Sequence, residues 1–116
     1  MTHHDWKSVP VEQLNPKMTR RMISTDRLTV AKLELKKGAI VPEHSHHNEQ
    51  FSMIESGALK FIFRDKEVVV RGGEVMAIPP NEPHAAEAVE DVVATDIFTP
   101  PREDWIRGDD AYLRRT

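Results

Sequence analysis

Three histidines and a glutamine in the middle of the chain are the residues best suited to bind a metal ion. His44 and His46 lie two positions apart among β-forming residues, and an extended strand places such a pair on one face. Gln50 has the same parity if the strand continues without a bulge, and His84 follows a proline-rich turn at the start of another predicted strand. Because imidazole is the commonest metal-binding side chain, these residues predict three nitrogen ligands with an amide oxygen as the fourth.

An H-x-H pair alone is a weak signal, because buried histidines more often serve only as hydrogen-bonding groups. The remaining histidines do not fit the site. His3 and His4 lie in a polar terminus and are expected to be solvated. His47 and Glu49 have the opposite parity, so we expect both to point away from His44.

Asp96 is the main candidate for a catalytic residue. It shares one strand face with Val92, Ala94 and Phe98, so a carboxylate is predicted to point inward among apolar neighbours. Two roles are open for it: general acid and base for a bound substrate, or a hydrogen bond to a ligand histidine. Phe98 is a candidate substrate-binding wall of the same pocket or a plain core residue.

Arg102 is a candidate for both catalysis and substrate binding. It follows Pro100 and Pro101, which stiffen the chain where the preceding strand ends. A fixed guanidinium there can bind a substrate carboxylate through two parallel hydrogen bonds. The alternative is a salt bridge with Glu103 or Asp104.

The segments that must position these residues form seven or eight short predicted strands separated by turn residues. This pattern is typical of an all-β sandwich or barrel, and the absence of a sustained 3.6-residue apolar period argues against a βαβ fold. The predicted strands are residues 28–36, 49–55, 58–64, 67–71, 74–78, 84–89 and 92–98.

The two ends of the chain are more polar and are predicted to be arms that pack on the barrel or on a partner subunit. Residues 102–107 are expected to form a short helix, with acidic residues in its first turn. For residues 1–5 and 109–116 the alternative is a frayed terminus. An N-terminal arm with Trp6, Val9 and Val11 has the apolar side chains needed for exchange between subunits.

The composition of the chain limits its domain number, its types of metal site and its classes of partner. A chain of 116 residues predicts one domain, and the absence of cysteine excludes disulfides and cysteine-ligated metal sites. With 16 basic and 19 acidic residues, the net charge of −3 argues against a general nucleic-acid partner. No apolar run approaches the ~20 residues of a membrane span, and no signal-peptide pattern is present, so a cytoplasmic location and no membrane partner are expected.

Two glycine-bounded stretches resemble the conserved motifs of the cupin superfamily, G-x5-H-x-H-x3-E-x6-G and G-x5-P-x-G-x2-H-x3-N. The first stretch is carried by Gly38, His44, His46, Gln50 and Gly57. The second is carried by Gly73, Pro79, Asn81, His84 and Ala88. The residue types depart from the motifs at Gln50, Asn81 and Ala88, while the spacing agrees.

The resemblance implies an all-β fold: a cupin-type double-stranded β-helix, or jelly-roll barrel, in a single domain over residues 1–116. The barrel is expected over about residues 28–98, with arms at 1–27 and 99–116. The implied metal ligands are His44, His46, Gln50 and His84, and small single-domain cupins imply a homodimer. Four neutral ligands leave the charge of a divalent ion uncompensated, which favours Lewis-acid chemistry with Zn, Ni, Mn or Fe.

Residues 79–88 and 96–105 are similar to a branch of small cupins that includes the pectin-degradation protein KdgF. That branch implies a small-molecule substrate, a carboxylated sugar or keto acid, and ring opening with tautomerisation of 4,5-unsaturated uronates. Asp96 would move the proton and Arg102 would bind the carboxylate. Other cupin functions stay open: a dioxygenase, a polyketide-cyclase-like enzyme, or a non-catalytic module that binds a sugar or another small molecule.

Overall fold

Ten β-strands and two short α-helices build the fold of the computed structural model, which describes residues 1–115. The strands are β1 (Glu12–Asn15), β2 (Met18–Ser24), β3 (Thr29–Leu35), β4 (Ile40–His44), β5 (Glu49–Ser56), β6 (Ala58–Phe63), β7 (Glu67–Arg71), β8 (Val75–Ile78), β9 (His84–Ala88) and β10 (Val92–Thr99). A 3-10 helix (Trp6–Ser8) precedes them, and α1 (Glu103–Ile106) and α2 (Ala111–Arg114) follow.

The strands form two antiparallel sheets that enclose the apolar core. One sheet has the order β1-β2-β3-β10-β5-β8, and the other has the order β4-β9-β6-β7. Strand β10 alternates strictly between buried and half-buried residues, so Val92, Ala94, Asp96 and Phe98 all face inward as predicted. This arrangement confirms the all-β jelly-roll barrel, and burial of the alternating apolar side chains is what holds the two sheets together.

Strand register gathers the candidate residues at one end of the barrel. His44 at the end of β4 pairs with His84 at the start of β9. In the other sheet, Gln50 near the start of β5 pairs with Phe98 near the end of β10. Since antiparallel neighbours bring the end of one strand beside the start of the next, four strand termini meet at this end.

The opposite end of β5 depends on a close approach that only glycine permits. Gly57 connects β5 to β6 with a φ of +86°, and a Cβ atom there would lie 1.9 Å from the carbonyl oxygen of Asp91. Any side chain at this position would therefore displace the turn between β9 and β10. Gly57 is needed both for the conformation of its own turn and for this close packing.

All seven strands predicted by residue range are present. Strands β1 and β2 were not predicted, and β4 ends at His44, where the sequence predicts an extended strand through His46. The sheet therefore begins before residue 28, where the sequence analysis placed the start of the barrel, and residues 12–24 of the expected arm are sheet strands. Strand β2 was missed because Arg20 occupies an inward position; it is fully buried and ion-paired with Glu12 and Asp110. Polar residues at inward positions conceal the period of a strand.

At the carboxyl end the structure decides between packing and fraying. Helix α1 lies within the predicted residues 102–107. Helix α2 buries Leu113, so residues 109–115 pack on the barrel, and Thr116 lies outside the described residues. Each α-helix has four residues, and over residues 1–115 no helix combines the length and apolar composition that a membrane crossing requires.

Candidate metal centre

His44, His46 and His84 converge inside the barrel mouth. Their ring centroids lie 4.3 Å apart for His44 and His84, 5.2 Å for His46 and His84, and 5.5 Å for His44 and His46. One nitrogen from each ring can be chosen so that all three lie within 4.8 Å of one another. Such a cluster is able to hold a metal ion.

Each imidazole of this triad is oriented by a backbone carbonyl. Nδ1 of His44 lies 2.8 Å from the carbonyl oxygen of Pro42, and Nδ1 of His84 lies 2.8 Å from that of Glu82. Nδ1 of His46 lies 3.1 Å from the carbonyl oxygen of Asn48. Because a carbonyl only accepts, Nδ1 must carry the proton in each ring, and the neutral ring then has its lone pair on Nε2.

Burial keeps these rings neutral. Desolvation lowers the pKa of His44 to about 4, and nearby His84, His46 and Arg102 add to the effect. Desolvation also lowers the pKa of His46 to about 4 and the pKa of His84 below its ordinary value. A neutral imidazole is the form that binds a metal, so the site presents three ligand-ready nitrogens at neutral pH.

Two observations show that these residues fit a cation. Nε2 of His84 is buried and has no hydrogen-bond partner among the described residues. Nε2 of His46 lies 3.0 Å from Oε1 of Gln50, which places two lone pairs face to face. A cation bound by both atoms would relieve this contact.

The structure corrects how His46 reaches the site. Strand β4 ends at His44, so the two histidines do not share a strand face as predicted, and His46 lies in the loop before β5. That loop is held from across the site, because the backbone N–H of Asn81 donates to the carbonyl oxygen of His46 at 2.8 Å. Asn81 has a φ of +66°, the left-handed conformation expected where the motif has glycine.

The other acidic and histidine positions follow the prediction. His3, His4, His47 and Glu49 are exposed. None of them belongs to the triad.

Asp96 lies beside the triad on the inward face of β10, with 7% of its surface exposed. Oδ2 of Asp96 accepts a hydrogen bond of 3.3 Å from Nε2 of Gln50, which also donates to Oγ of Ser52 at 2.9 Å. Burial raises the pKa of Asp96 to about 7, although a hydrogen bond with Ser52 and the charge of Arg102 act in the opposite direction. The described contact is therefore with Gln50 and not with a ligand histidine.

Arg102 is 1% exposed and forms the salt bridge that was the alternative to a carboxylate clamp. Nε and Nη2 of Arg102 donate to Asp104 at 3.0 and 2.9 Å, and Nη2 also donates to Oη of Tyr112 at 3.1 Å. Its guanidinium lies 4.7 Å from the ring centroid of Phe98 and 4.0 Å from that of Trp105. Arg102 still lines the cavity next to the triad, so its charge faces the site.

The cavity beside the triad has a volume of about 50 Å³ and is lined by both polar and apolar side chains. Its polar lining comes from His44, His84, Gln50, Asp96, Arg102 and Tyr112. The apolar lining includes Met18, Leu33, Leu35, Val41, Leu59 and Phe61. Phe98 and the small side chain of Ala86 also line it. The chamber is small compared with the roughly 300–1,000 Å³ of a typical ligand pocket, and it places polar and apolar side chains next to the triad.

The C-terminal segment, residues 102–115, contributes further side chains to the cavity besides the predicted Arg102. Tyr112 lines the cavity, and its ring centroid lies 4.9 Å from that of His44. Nδ2 of Asn15 donates to the carbonyl oxygen of Leu113 at 2.8 Å, which fixes α2 to β1. A single tyrosine in a polar tail carries no periodic signal, so only the packing of α2 reveals its position.

Comparison with known proteins agrees with this geometry. A family model described as Cupin domain matches residues 31–98. An RmlC-like cupin structure from Shewanella frigidimarina is 24% identical, with a TM-score of 0.82 over 88% of this chain and 93% of that chain. The structure of KdgF from a Halomonas species is 23% identical, with a TM-score of 0.77 over 83% of this chain and 90% of that chain.

A third solved structure, the polyketide cyclase RemF from Streptomyces resistomycificus, is 20% identical. Its TM-score is 0.72 over 86% of this chain and 79% of that chain. At these identities the structures share a fold with this chain, and they do not carry an activity over to it. The search of curated proteins found no match to this sequence.

Proposed function

This chain belongs to the cupin family, and from that premise we propose that it is a metal-dependent enzyme acting on a small carboxylated sugar or keto acid. One observation carries the proposal. Three imidazoles, one buried and two half-buried, each have Nδ1 bonded to a backbone carbonyl, and one nitrogen from each ring lies within 4.8 Å of the others. Such a set of unprotonated nitrogens is the chemistry of a metal site.

In this proposal His44, His46 and His84 hold the ion, and Oε1 of Gln50 is the fourth ligand. A bound divalent ion supplies Lewis-acid polarisation of a substrate oxygen. All four ligands are neutral, so they leave the charge of the ion undiminished. Nitrogen and amide-oxygen donors suit Zn, Ni, Mn or Fe alike.

Asp96 is proposed to move the proton. The carboxyl group faces the cavity beside Gln50, within reach of a ligand that lies against the triad. Burial raises the pKa of Asp96 above its ordinary value, and this favours a carboxyl group that accepts a proton in one step and returns it in the next. An acid that works in both directions is what an isomerisation needs.

Arg102 and Phe98 are proposed to bind the substrate. The bonds of Arg102 to Asp104 and Tyr112 use Nε and Nη2, so Nη1 is the donor group assigned to the substrate carboxylate. Phe98 lies under the guanidinium and contacts His46 edge-on, with ring centroids 5.8 Å apart. It therefore forms a wall between the arginine and the triad.

The proposed reaction is the ring opening of a 4,5-unsaturated uronate. Asp96 accepts the proton of the anomeric hydroxyl, and the bond between C1 and the ring oxygen breaks as the C1 carbonyl forms. The resulting enolate takes a proton at C4, which yields the linear keto acid. Substrate and product are isomers, so no oxidant, reductant or second substrate is required.

The test is to incubate the metal-loaded protein with an unsaturated uronate monosaccharide and follow the ultraviolet band of the C4=C5 bond. We expect the band to disappear with the wild type and with His47→Ala, which changes an exposed histidine. Asp96→Asn should slow the loss by at least about a hundredfold, the usual contribution of general acid–base catalysis. No loss above the uncatalysed rate, with the metal present in stoichiometric amount, would exclude this substrate.

A second candidate, a cyclase acting on an aromatic polyketide-like substrate, would use the apolar walls of the cavity, but such a substrate needs a wider pocket than the present volume of about 50 Å³. Leu33, Leu59 and Phe61 are among these walls and offer no polar contacts to a sugar ring. Binding of an aromatic polyketide-like probe, with no binding of uronate, would favour this candidate. Binding of a sugar acid without turnover would instead indicate a non-catalytic cupin.

A further inference from the structure

We propose that Gln50 is a bridging residue: its Oε1 binds the metal ion while its Nε2 positions the carboxylate of Asp96. The inference rests on the proposed metal site and deepens it, because it assigns a second task to a ligand. It also gives a physical reason for glutamine at a position where the common cupin motif has glutamate.

The geometry places Gln50 between the two partners. Its Oε1 lies 3.0 Å from Nε2 of His46, and its Nε2 lies 3.3 Å from Oδ2 of Asp96 and 2.9 Å from Oγ of Ser52. The three polar side chains Gln50, Ser52 and Asp96 are 5%, 1% and 7% exposed. Water has little access to these side chains, so their polar groups must find hydrogen-bond partners within the site.

The hydrogen-bonding capacity of the amide is used completely. The NH₂ group of a glutamine has two hydrogens, and Ser52 and Asp96 accept one each. The carbonyl oxygen is then left to face the point where the triad converges. With a cation held by the triad, the reversed amide would turn its NH₂ group toward that cation, which is unfavourable.

A glutamate in place of Gln50 would lose the positioning bond. An ionised carboxylate only accepts hydrogen bonds, so the substituted side chain would set one acceptor against the Asp96 carboxylate in a buried space. Asp96 would then lose the N–H donor that holds its carboxylate in place. Gln50 is therefore a positioning residue for Asp96 as well as a ligand.

The test is a double-mutant cycle on the metal-free protein with Gln50→Glu, Asp96→Asn and the two combined. We expect Gln50→Glu alone to lower Tm by about 4 °C or more, the effect of one buried acceptor left without a donor in a chain of this size. In the double variant the new amide at position 96 donates to the new carboxylate at position 50, so at least half of that loss should be recovered. Additive losses in the double variant would overturn the proposal.

If Gln50→Glu alone does not fold without metal, the double variant still has to fold, and failure of both would overturn the bridging role. The ligand half of the proposal is tested with Co²⁺ as the probe. Gln50→Glu should shift the visible d–d bands of the Co²⁺ protein, while His47→Ala, which changes an exposed histidine outside the triad, should leave them in place. Unchanged bands in Gln50→Glu would overturn the assignment of Oε1 as a ligand.

Neither measurement uses turnover. A protein that fails to open unsaturated uronates but shows the recovered Tm and the shifted Co²⁺ bands would refute the proposed reaction and leave the bridge intact. The reverse result, turnover without coupling in the cycle, would refute the bridge alone.

Discussion

The backbone N–H of Asn81 donates a hydrogen bond of 2.8 Å to the carbonyl oxygen of His46. This bond joins the turn before β9 to the loop after β4, and so it connects the two segments that carry the triad. His84 begins β9 three residues after Asn81, while His46 lies outside any strand. One backbone contact therefore fixes the relative position of histidines from the two motifs.

Substitution of Asn81 should separate its backbone role from its side chain. Asn81→Gly is expected to preserve metal affinity, because glycine adopts a φ of +66° without strain. Asn81→Val should lower the free energy of unfolding by about 1–2 kcal/mol, since a β-branched residue resists this conformation. Isothermal titration with Zn²⁺ should then show weaker binding for the valine variant only. Equal affinities in the two variants would show that the turn does not position His46.

Removal of single ligands should abolish or weaken metal binding in a defined order. His44→Ala and His84→Ala should each lose the ion, because two remaining imidazoles form an incomplete site. Gln50→Ala should weaken binding less, since an amide oxygen is the poorer ligand. His47→Ala changes an exposed histidine next to the triad, so this variant should retain one full equivalent of metal per chain. Metal content per chain by plasma mass spectrometry measures all four variants, and full occupancy in His84→Ala would contradict the ligand set.

Metal binding should also raise the stability of the fold. An ion that binds only the native state at a hundred times its Kd contributes about 2.7 kcal/mol. Tm should therefore fall by roughly 10 °C when a chelator removes the metal, on the scale of ~4 °C per kcal/mol for a domain of this size. The chelator should leave the Tm of His84→Ala unchanged. A chelator effect of equal size in that variant would point to a metal bound elsewhere.

Asp110 should make the C-terminal segment sensitive to acid. Burial alone would raise the pKa of Asp110, but hydrogen bonds from Arg114 and Arg20 hold it below its ordinary value of 3.8. A carboxyl group with a lowered pKa stabilises the native state above its unfolded pKa, and this contribution is lost as the pH falls through the lower folded value. Asp110→Asn should therefore cost about 3 kcal/mol at neutral pH, because Arg20 loses a buried partner.

Urea unfolding at neutral pH and in acid compares the two proteins. The deficit of Asp110→Asn should shrink as the pH falls from 3.8 toward the lower pKa of folded Asp110, because the unfolded wild-type chain then binds a proton that the folded chain does not. Asp109→Asn is the matched control, since Asp109 is exposed and pairs only at the surface with Arg107. A deficit that stays constant with pH would show that the charge of Asp110 is not the source of stability.

Tyr112 should contribute to substrate binding through Arg102. Tyr112→Phe keeps the ring that packs 4.9 Å from His44 and removes the hydroxyl that accepts from Arg102 and Trp105. Loss of such a hydrogen bond is worth about 1 kcal/mol, which corresponds to a rise of roughly fivefold in KM for a carboxylated substrate. Metal content and kcat should stay near those of the wild type. A fall in metal content would instead show that the Tyr112 hydroxyl helps to position the histidine triad.

Much of the barrel could be predicted because strand alternation is a local property. Strand β10 illustrates this: its apolar residues and Asp96 alternate with half-buried positions, and all four predicted inward residues are buried. Strand β2 could not be predicted, since Arg20 breaks the alternation and is stabilised by ion pairs with Glu12 and Asp110. Glu12 lies in the neighbouring strand, but Asp110 lies at the far end of the chain, beyond the reach of a local pattern.

The sequence by itself determined the residue types at the candidate site: histidines and a glutamine at motif spacing, and an inward aspartate on a later strand. Only the tertiary structure decided how they meet. His46 reaches the triad from a loop held by Asn81, and Arg102 is paired with Asp104 beneath Tyr112. These contacts join segments far apart in the chain, and their geometry depends on how both sheets and the C-terminal segment pack. Spacing and parity describe neighbours along one strand and carry no information about such packing.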